Sequence, residues 1–363
     1  MSQRKCQAGQ LPAALVAPDG RDLDDRGQAE VGRRYVMKVI VTGIAGFVGS
    51  HLARRLLRDG AEIVGIDNLS DYYDVRLKRD RLADLARAKP FTFVEADIAD
   101  LGAMRSLFAK HADANHVAHL AAQAGVRHSL EQPELYIHAN VMGQVAILEA
   151  ALKLKRCTHF IYASTSSVYG ANRKLPFSVS QRVETPLSVY SASKLAGEHI
   201  AYTYAHLHGL AATGFRLFTV YGPWGRPDMS YYKFAQAIAA DKPILIHGFG
   251  EMSRDFTYID DVIDGLVAAL GRPPAADTVG ARHKVYNIGN SHPTKLLDFV
   301  DLVERAMGRK AKREMVKIQP GEMVGTCADI SETKRDFGFE PSTPIAAGIE
   351  EFVRWFKAYH KIS

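Results

Sequence analysis

The chain has 363 residues, of which 47% are hydrophobic and 24% are charged. These proportions are ordinary for a globular protein and exclude a wholly disordered, collagen-like or coiled-coil chain. The 46 Lys and Arg residues outnumber the 40 Asp and Glu residues, which gives a net charge of +6. Because the basic residues are dispersed, we interpret the charge as a solvated surface and expect no nucleic-acid partner.

The three cysteines, Cys6, Cys157 and Cys327, lie far apart and form no CxxC pair. This usage argues against a disulfide framework and a zinc site, so we expect no bound metal and a cytoplasmic location. No apolar run approaches the roughly 18 residues that a membrane-spanning helix needs, and we expect no membrane association. Residues 1–36 have no periodic order and are predicted to form a disordered extension.

From Met37 onward, short apolar runs alternate with helical segments. Strands are predicted at 38–42, 61–66, 91–95, 116–120, 158–163 and 211–217, with helices between them. Repeated strand–helix–strand units predict an α/β fold with a doubly wound parallel sheet. The pattern loosens after Tyr221. We therefore expect one domain over 37–220 and a smaller domain over 221–363, with some of its segments returning to the first.

The first loop has the spacing GxxGxxG, formed by Gly43, Gly46 and Gly49. Glycines permit a sharp turn and close approach of a phosphate, and the start of the following helix attracts a pyrophosphate. Asp67 ends the next strand, where a carboxylate binds ribose hydroxyls and repels a 2′-phosphate. The loop therefore predicts a dinucleotide site for NAD rather than NADP. The alternative for Asp67 is a cap on the next turn, together with Asn68.

Tyr190 and Lys194 lie four residues apart in a predicted helix, so their side chains share one face. The ordinary tyrosine pKa of about 10 is too high for a base at neutral pH, and we expect a lysine cation and a positive nicotinamide to lower it. The hydroxyl-rich run Ala163–Gly170 follows the fifth strand, where ligands approach a parallel sheet. We expect it to orient a substrate hydroxyl; the alternative is a turn whose hydroxyls bond their own backbone.

Together, these motifs resemble the extended short-chain dehydrogenase/reductase superfamily over nearly the whole chain from Met37. Within it, the sequence is most similar to the UDP-glucuronate 4-epimerase family in four runs: Asp67–Lys78, Ala121–Arg127, Ala163–Gly170 and Phe218–Met229. The resemblance implies a Rossmann domain with tightly held NAD and a smaller sugar-nucleotide domain. It also implies 4-epimerisation of UDP-glucuronate to UDP-galacturonate through a 4-keto intermediate.

The resemblance also assigns roles to residues of this chain. Tyr190 becomes the acid/base, Lys194 lowers its pKa and holds the nicotinamide ribose, and Thr165 positions the sugar 4-hydroxyl. The implied substrate contacts are Ser166, Ser167 and Thr219 on the uronate carboxylate, Arg226 as its anchor, Arg254 on the UDP phosphates, and Arg127. The chain departs from many sugar-nucleotide epimerases at Gln319 and Glu322, where Arg and Asp are usual.

The predicted cofactor contacts extend beyond the glycines and Asp67. Asp97 follows the third strand and is interpreted either as a residue at the adenine edge or as a simple turn residue. The others are Ala45, Phe47, Val48, Asn68, Ile98, Ala121 and Ala122.

Four other functions are alternatives to 4-epimerisation of UDP-glucuronate. A 4,6-dehydratase carries Asp-Glu where this chain has Ser166-Ser167, and a UDP-glucuronate decarboxylase carries Glu at the position of Ser167. UDP-glucose/galactose 4-epimerase is the nearest rival, although it usually has Asn at the position of Thr219. A NAD-sensing binding protein commonly lacks the Tyr190/Lys194 pair. These alternatives remain open at the level of sequence.

Two long predicted helices, near 131–154 and 188–208, carry many small or apolar residues. In the related family these helices pair across a twofold axis, so we expect a homodimer. The alternative is that the same residues pack against the sheet of their own chain. The residues concerned are Ala146, Ile147, Ala150, Ala151, Ala196 and Ala201.

Overall fold

The computed structural model describes residues 37–362, and the predicted extension over 1–36 lies outside the described residues. The strands are β1 (Lys38–Thr42), β2 (Glu62–Asp67), β3 (Phe91–Glu95), β4 (His116–His119), β5 (His159–Thr165), β6 (Ala212–Leu217), β7 (Thr219–Tyr221), β8 (Pro243–His247), β9 (Ser253–Tyr258), β10 (His283–Ile288), β11 (Pro293–Lys295) and β12 (Lys312–Val316). The helices are α1 (Phe47–Arg58), α2 (Val75–Leu85), α3 (Leu101–Lys110), α4 (His128–Glu131), α5 (Pro133–Tyr136), α6 (Gly143–Ala151), α7 (Val189–His208), α8 (Ser230–Ala239), α9 (Ile259–Leu270), α10 (Leu296–Met307), α11 (Ser331–Phe337) and α12 (Ile345–His360).

Seven parallel strands form the large sheet, in the order β10-β6-β5-β4-β1-β2-β3. Its central strands are apolar on both faces; Val39, Ile40 and Val41 of β1 are fully buried. A parallel sheet of this kind needs helices on both sides. The strand order reverses between β1 and β4, and ligands of doubly wound sheets bind at the carboxyl ends of the strands at such a point. The predicted α/β fold is confirmed.

Two apolar cores lie on the two faces of this sheet. On one face, α1 and α9 pack together over β1, β2 and β10. On the other face, α3, α6 and α7 cover β1, β4 and β5. This double cover holds the carboxyl ends of the strands rigidly, and the loops that leave those ends carry the candidate site.

A smaller group of elements follows β6. Strands β7, β9 and β11 form a three-stranded sheet, and β8 pairs with β12 in parallel. These strands share an aromatic-rich core with α8, α10 and α12. Between them in sequence, β10 returns to the large sheet beside β6. The proposed division of the chain at residue 220 remains a prediction.

The predicted helix over 131–154 is interrupted, which corrects the sequence analysis. A π-helical turn spans Ile137–Met142 between α5 and α6. It turns Asn140 inward, where its Nδ2 donates to the Gln123 carbonyl (3.0 Å) and to the Ser193 Oγ (2.9 Å). A π turn adds a residue to the helical repeat, so a pattern of 3.6 residues does not reveal it.

Among residues 37–362, no helix has both the length and the apolar character needed to cross a bilayer.

Candidate active site

A cavity of about 1200 Å³ lies at the carboxyl ends of the large sheet and reaches the smaller sheets. Its lining includes every residue predicted for the site except Ala45. For the cofactor these are Gly43, Gly46, Phe47, Val48, Gly49, Asp67, Asn68, Asp97, Ile98, Ala121, Ala122, Tyr190 and Lys194. For the substrate they are Arg127, Thr165, Ser166, Ser167, Thr219, Arg226 and Arg254.

The glycine loop is packed too tightly for side chains. Gly43 has a φ of +70°, and a Cβ there would lie 2.6 Å from the Ala121 amide nitrogen. A Cβ on Gly49 would lie 2.1 Å from the Gly43 carbonyl oxygen. Gly46 caps α1 without a side-chain hydrogen bond to the first turn. The loop thus presents backbone at the start of a helix, which is the arrangement that receives a pyrophosphate.

Asp67 is nearly buried at the end of β2. Its Oδ2 accepts a hydrogen bond from the Ala45 amide (3.1 Å), and its Oδ1 accepts one from the Leu69 amide (2.9 Å). Asp67 therefore caps the following turn, as the alternative interpretation predicted, and it also lines the cavity. Its binding of ribose hydroxyls remains a prediction. The Lys78 Nζ lies 3.9 Å from Asp67 Oδ1. Lys78 ends the run Asp67–Lys78, but no sequence motif marked it as a partner of Asp67.

Ala45 is fully buried and does not line the cavity. Both its amide and its carbonyl are hydrogen-bonded to side chains. Its amide donates to Asp67, and its carbonyl accepts from Arg81 Nη1 (2.8 Å). Arg81 is fully buried, and its Nη2 donates to the carbonyls of Trp224 (2.6 Å) and Gly225 (3.2 Å). Arg81 thus joins the glycine loop to the loop after β7, which carries the predicted substrate residue Arg226. No sequence motif marked it.

Asp97 makes the contact expected of a turn residue, and its place at the adenine edge remains a prediction. Its Oδ1 accepts from the Ala99 amide (2.9 Å), as a turn residue does, and its Oδ2 lies 3.0 Å from His138 Nε2. It also lines the cavity next to Ile98. The carboxylate is therefore held in place before any ligand contact.

Tyr190 and Lys194 start the long helix α7, which Ser188 caps through its side chain. Burial lowers the pKa of Lys194 to about 8, and the Glu198 carboxylate one turn further on partly opposes this. Burial raises the pKa of Tyr190, whereas the Thr165 hydroxyl and the Arg226 cation lower it. The predicted lowering of the Tyr190 pKa by Lys194 is therefore wrong for this structure, because desolvation of the phenol is the larger effect and Lys194 is not among the groups that shift this pKa.

Glu198 forms a buried ion pair behind this site. Arg216 Nε and Nη2 donate to the two Glu198 oxygens at 2.9 Å and 2.7 Å. Ser164, the residue before Thr165, donates its Oγ to Glu198 Oε1 (2.5 Å). The pair therefore links the end of β5 to the helix of Tyr190 and Lys194.

The hydroxyl cluster lies where β5 ends and β7 begins. Thr165 and Ser166 are buried, and the Thr165 Oγ1 accepts a hydrogen bond from the Ser167 amide (3.1 Å). One hydroxyl thus bonds the local backbone, as the alternative interpretation predicted, while the cluster also faces the cavity. Thr219 lies opposite on β7, paired with Phe256 of β9.

Three charged side chains meet at another part of the cavity wall. Arg127 Nη2 donates to Glu322 Oε1 (2.7 Å), and Arg254 Nη2 lies 3.6 Å from Glu322 Oε2. Glu322 therefore lines the cavity between two arginines. Glu322 stands where many sugar-nucleotide epimerases have Asp, so this position keeps a carboxylate in the cavity wall.

Arg226 is paired with a residue that the sequence analysis missed. Its Nε and Nη2 donate to the Oδ1 and Oδ2 of Asp228 at 2.9 Å and 2.5 Å. Asp228 lies inside the run Phe218–Met229, and its acidic side chain two residues after Arg226 was the available signal. Among residues 37–362, no other carboxylate is within ion-pair distance of Arg226.

The comparisons with known proteins agree on one family. UDP-glucuronate 4-epimerase 2 of Arabidopsis thaliana is 45% identical over 346 residues, covering 93% of this chain and 79% of that protein. A probable UDP-glucuronate 4-epimerase of Rhizobium meliloti (strain 1021) is 44% identical over 333 residues, covering 88% of this chain and 97% of that protein.

A solved structure gives the same result. The UDP-glucuronic acid 4-epimerase of Bacillus cereus, in complex with UDP-glucuronic acid and NAD, matches with a TM-score of 0.81 and 36% identity, covering 89% of this chain and 100% of that chain. The sequence also matches the NAD dependent epimerase/dehydratase family over residues 39–289. This protein therefore belongs to the NAD dependent epimerase/dehydratase family, as its motifs predicted.

Proposed function

We propose that this protein catalyses the NAD-dependent 4-epimerisation of UDP-glucuronate to UDP-galacturonate. The observation that carries the proposal is the shared cavity of Tyr190, the glycine loop, and a guanidinium–hydroxyl set made of Arg226, Thr219 and the serines after Thr165. The relatives and the solved structure bear the same activity in their names.

The cavity fits NAD at the glycine loop. The crowded Gly43 and Gly49 backbone accepts a pyrophosphate, and the buried Asp67 carboxylate accepts hydrogen bonds from ribose hydroxyls. Bound NAD supplies a hydride acceptor for carbon 4 of the sugar and returns the hydride within the same cycle. The Asp67 charge disfavours a 2′-phosphate, so stripped protein should regain activity with NAD and not with NADP.

Tyr190 moves the proton. Its phenol takes the proton of the sugar 4-hydroxyl as the hydride leaves and gives it back after the sugar has turned over. Thr165 orients that hydroxyl, and the Lys194 cation holds the nicotinamide ribose. The same residues serve both half-reactions, because the two differ only in the face of carbon 4.

The hydroxyl cluster controls the fate of the intermediate. A 4-keto uronate is a β-keto acid, which loses carbon dioxide when its carboxylate stands perpendicular to the carbonyl plane. Ser166, Ser167 and Thr219 can hold the carboxylate by neutral hydrogen bonds, and Arg226 adds a charge-assisted one. Positions 166 and 167 carry no carboxyl group. The acid that water elimination or decarboxylation uses in the sister families is therefore absent at these positions.

An NMR time course with UDP-glucuronate and no added NAD tests the proposal. We expect UDP-galacturonate to accumulate without UDP-pentose, and we expect Tyr190→Phe to abolish turnover while retaining NAD. Tyr202→Phe is the matched control, because the Tyr202 hydroxyl contacts Asp277 outside the cavity. Formation of UDP-pentose alone, or near-normal turnover by Tyr190→Phe, would contradict the assignment.

We further propose a homodimer that works in the cytoplasm. Ala146, Ile147, Ala150, Ala151 and Ala201 are buried in the core of their own chain. These five residues therefore cannot form the predicted contact between chains, because they pack against the sheet of their own chain. Ala196 is half-buried and lies outside this core.

These helical segments also carry exposed apolar side chains, among them Leu135, Tyr202 and Leu207, and two of the exposed side chains, Ile137 and Met142, lie together on the π-helical turn. We place the dimer contact there, since pairing would bury both. Sedimentation should give a dimer at micromolar concentration, and Met142→Glu should shift it to a monomer. A wild-type monomer would contradict this proposal.

A further inference from the structure

Arg226 is held by one edge only. Its Nε and Nη2 form a two-point contact with the Asp228 carboxylate, and such contacts fix the plane of a guanidinium. Pro227 stands between the two residues and restricts the backbone that separates them. The guanidinium plane is therefore set locally, by a residue two positions away.

The other edge of the guanidinium is left for a ligand. Among residues 37–362, the Arg226 Nη1 has no hydrogen-bond partner, and it is not among the buried polar atoms that lack one. Arg226 lines the cavity together with Thr219 and Ser166. Both Arg226 and Asp228 act on the pKa of Tyr190, in opposite directions, so both lie within electrostatic reach of the acid/base.

Asp228 is itself held by a side chain from a separate loop that also lines the cavity. The Tyr72 hydroxyl, in the loop after β2, donates to Asp228 Oδ2 at 3.3 Å. Burial, followed by the Asp228 charge, raises the pKa of Tyr72 to about 12, so the hydroxyl keeps its proton. A Cβ on Gly125 would lie 2.4 Å from this hydroxyl, so the glycine leaves it room.

We propose that Asp228 is a positioning residue that sets the selectivity of the site for a uronate. It holds the Arg226 guanidinium by the Nε–Nη2 edge, so that the Nη1 edge meets the carboxylate on carbon 5 of the sugar. The inference rests on the proposed function and deepens it. A neutral hexose offers a hydroxymethyl group at that point, which gains little from an oriented cation.

The chemistry of the pair predicts the effect of an isosteric change. In Asp228→Asn, the amide can accept from one Arg226 nitrogen, but its NH₂ group faces another donor. The guanidinium then turns away, and UDP-glucuronate loses about one charge-assisted hydrogen bond, which corresponds to roughly tenfold weaker binding. UDP-glucose should bind as it does to the wild type.

Calorimetric titration of the NAD-bound enzyme with UDP-glucuronate and UDP-glucose tests this. The proteins are wild type, Asp228→Asn, Arg226→Ala and the double variant, with Glu314→Gln as a control that removes one exposed negative charge. We expect Asp228→Asn to reduce the ratio of the two affinities about tenfold, and to cause no further reduction in the Arg226→Ala background. Tyr72→Phe should reduce the ratio of affinities less than Asp228→Asn does. It should also retain the fold, and it therefore tests the inference if Asp228→Asn does not fold.

Three results would overturn the inference. One is an unchanged affinity ratio in Asp228→Asn and in Tyr72→Phe while the wild type favours UDP-glucuronate. Another is an equal loss for both ligands, which indicates a merely structural role. The third is an undiminished effect of Asp228→Asn without Arg226. A wild type that binds both ligands equally would instead contradict the proposed function, and the inference with it.

Discussion

Removal of the Glu198 charge is expected to destabilise the fold. It is also expected to impair catalysis by the proposed acid/base Tyr190, through its neighbour Lys194. The carboxylate is buried between α7 and β6, and it accepts two hydrogen bonds from Arg216 and one from Ser164. Glu198→Gln keeps the size of the side chain and one acceptor oxygen. It removes the negative charge that balances Arg216, whose Nη1 is already buried without a partner.

The magnitude follows from leaving a cation buried without its partner. Breaking one side of a buried ion pair costs about 3–5 kcal/mol, because the remaining charge stays desolvated. That is a large part of the roughly 5–15 kcal/mol by which domains are stable. Glu198 also opposes the burial that lowers the pKa of Lys194 to about 8. Without it, this pKa falls further, and Lys194 loses its proton at a lower pH.

Two measurements on Glu198→Gln check this reasoning. Urea denaturation should show the loss of stability. The high-pH limb of the pH profile of kcat/KM should move to lower pH. Glu340→Gln is the matched control, since its ion pair with Lys334 is exposed and should contribute less than about 1 kcal/mol. Equal denaturation midpoints for Glu198→Gln and the wild type would refute the argument, as would an unmoved limb.

Three further predictions use other parts of the structure. Gly49→Ala places a Cβ 2.1 Å from the Gly43 oxygen, so NAD content and stability should both fall, whereas Gly271→Ala, with open space around it, should leave both unchanged. Thr219→Val should slow epimerisation and raise the fraction of decarboxylated product; an unchanged product ratio in NMR would contradict the role of the hydroxyl. Burial lowers the pKa of His119 to about 3, so the unfolded state binds its proton first, and this histidine alone should lower the free energy of unfolding by about 1.4 kcal/mol per pH unit below roughly pH 6.5. Urea titrations at pH 7, 6 and 5 should show a shallower fall for His119→Gln, and equal slopes would contradict the assignment.

The sequence was most informative where local chemistry has one solution. The apolar runs of the large sheet read as strands because both faces of a parallel sheet are buried, so periodicity and burial agree. The glycine spacing was equally clear, since a Cβ at Gly43 or Gly49 would collide with backbone. The family followed from long runs whose residues lie around one cavity.

Features that depend on distant partners were not visible. The π turn before α6 is set by Asn140 reaching Gln123 and Ser193, and no periodic pattern encodes those contacts. Five of the six residues offered for a dimer lie inside the chain's own core, and Ala196 does not. The sequence could not separate them, because a list of apolar residues does not say which face of a helix is free.

By itself, the sequence determined the fold class, the dinucleotide loop, the Tyr190/Lys194 pair and the family, because each depends on residues that are neighbours along the chain or on one element. Only the tertiary structure decided how charges are paired in the site. Asp228 takes one edge of Arg226, and Glu322 stands between Arg127 and Arg254. Such pairing is a matter of a few ångströms between separate loops, and electrostatic energy depends on that distance and on burial rather than on position in the sequence.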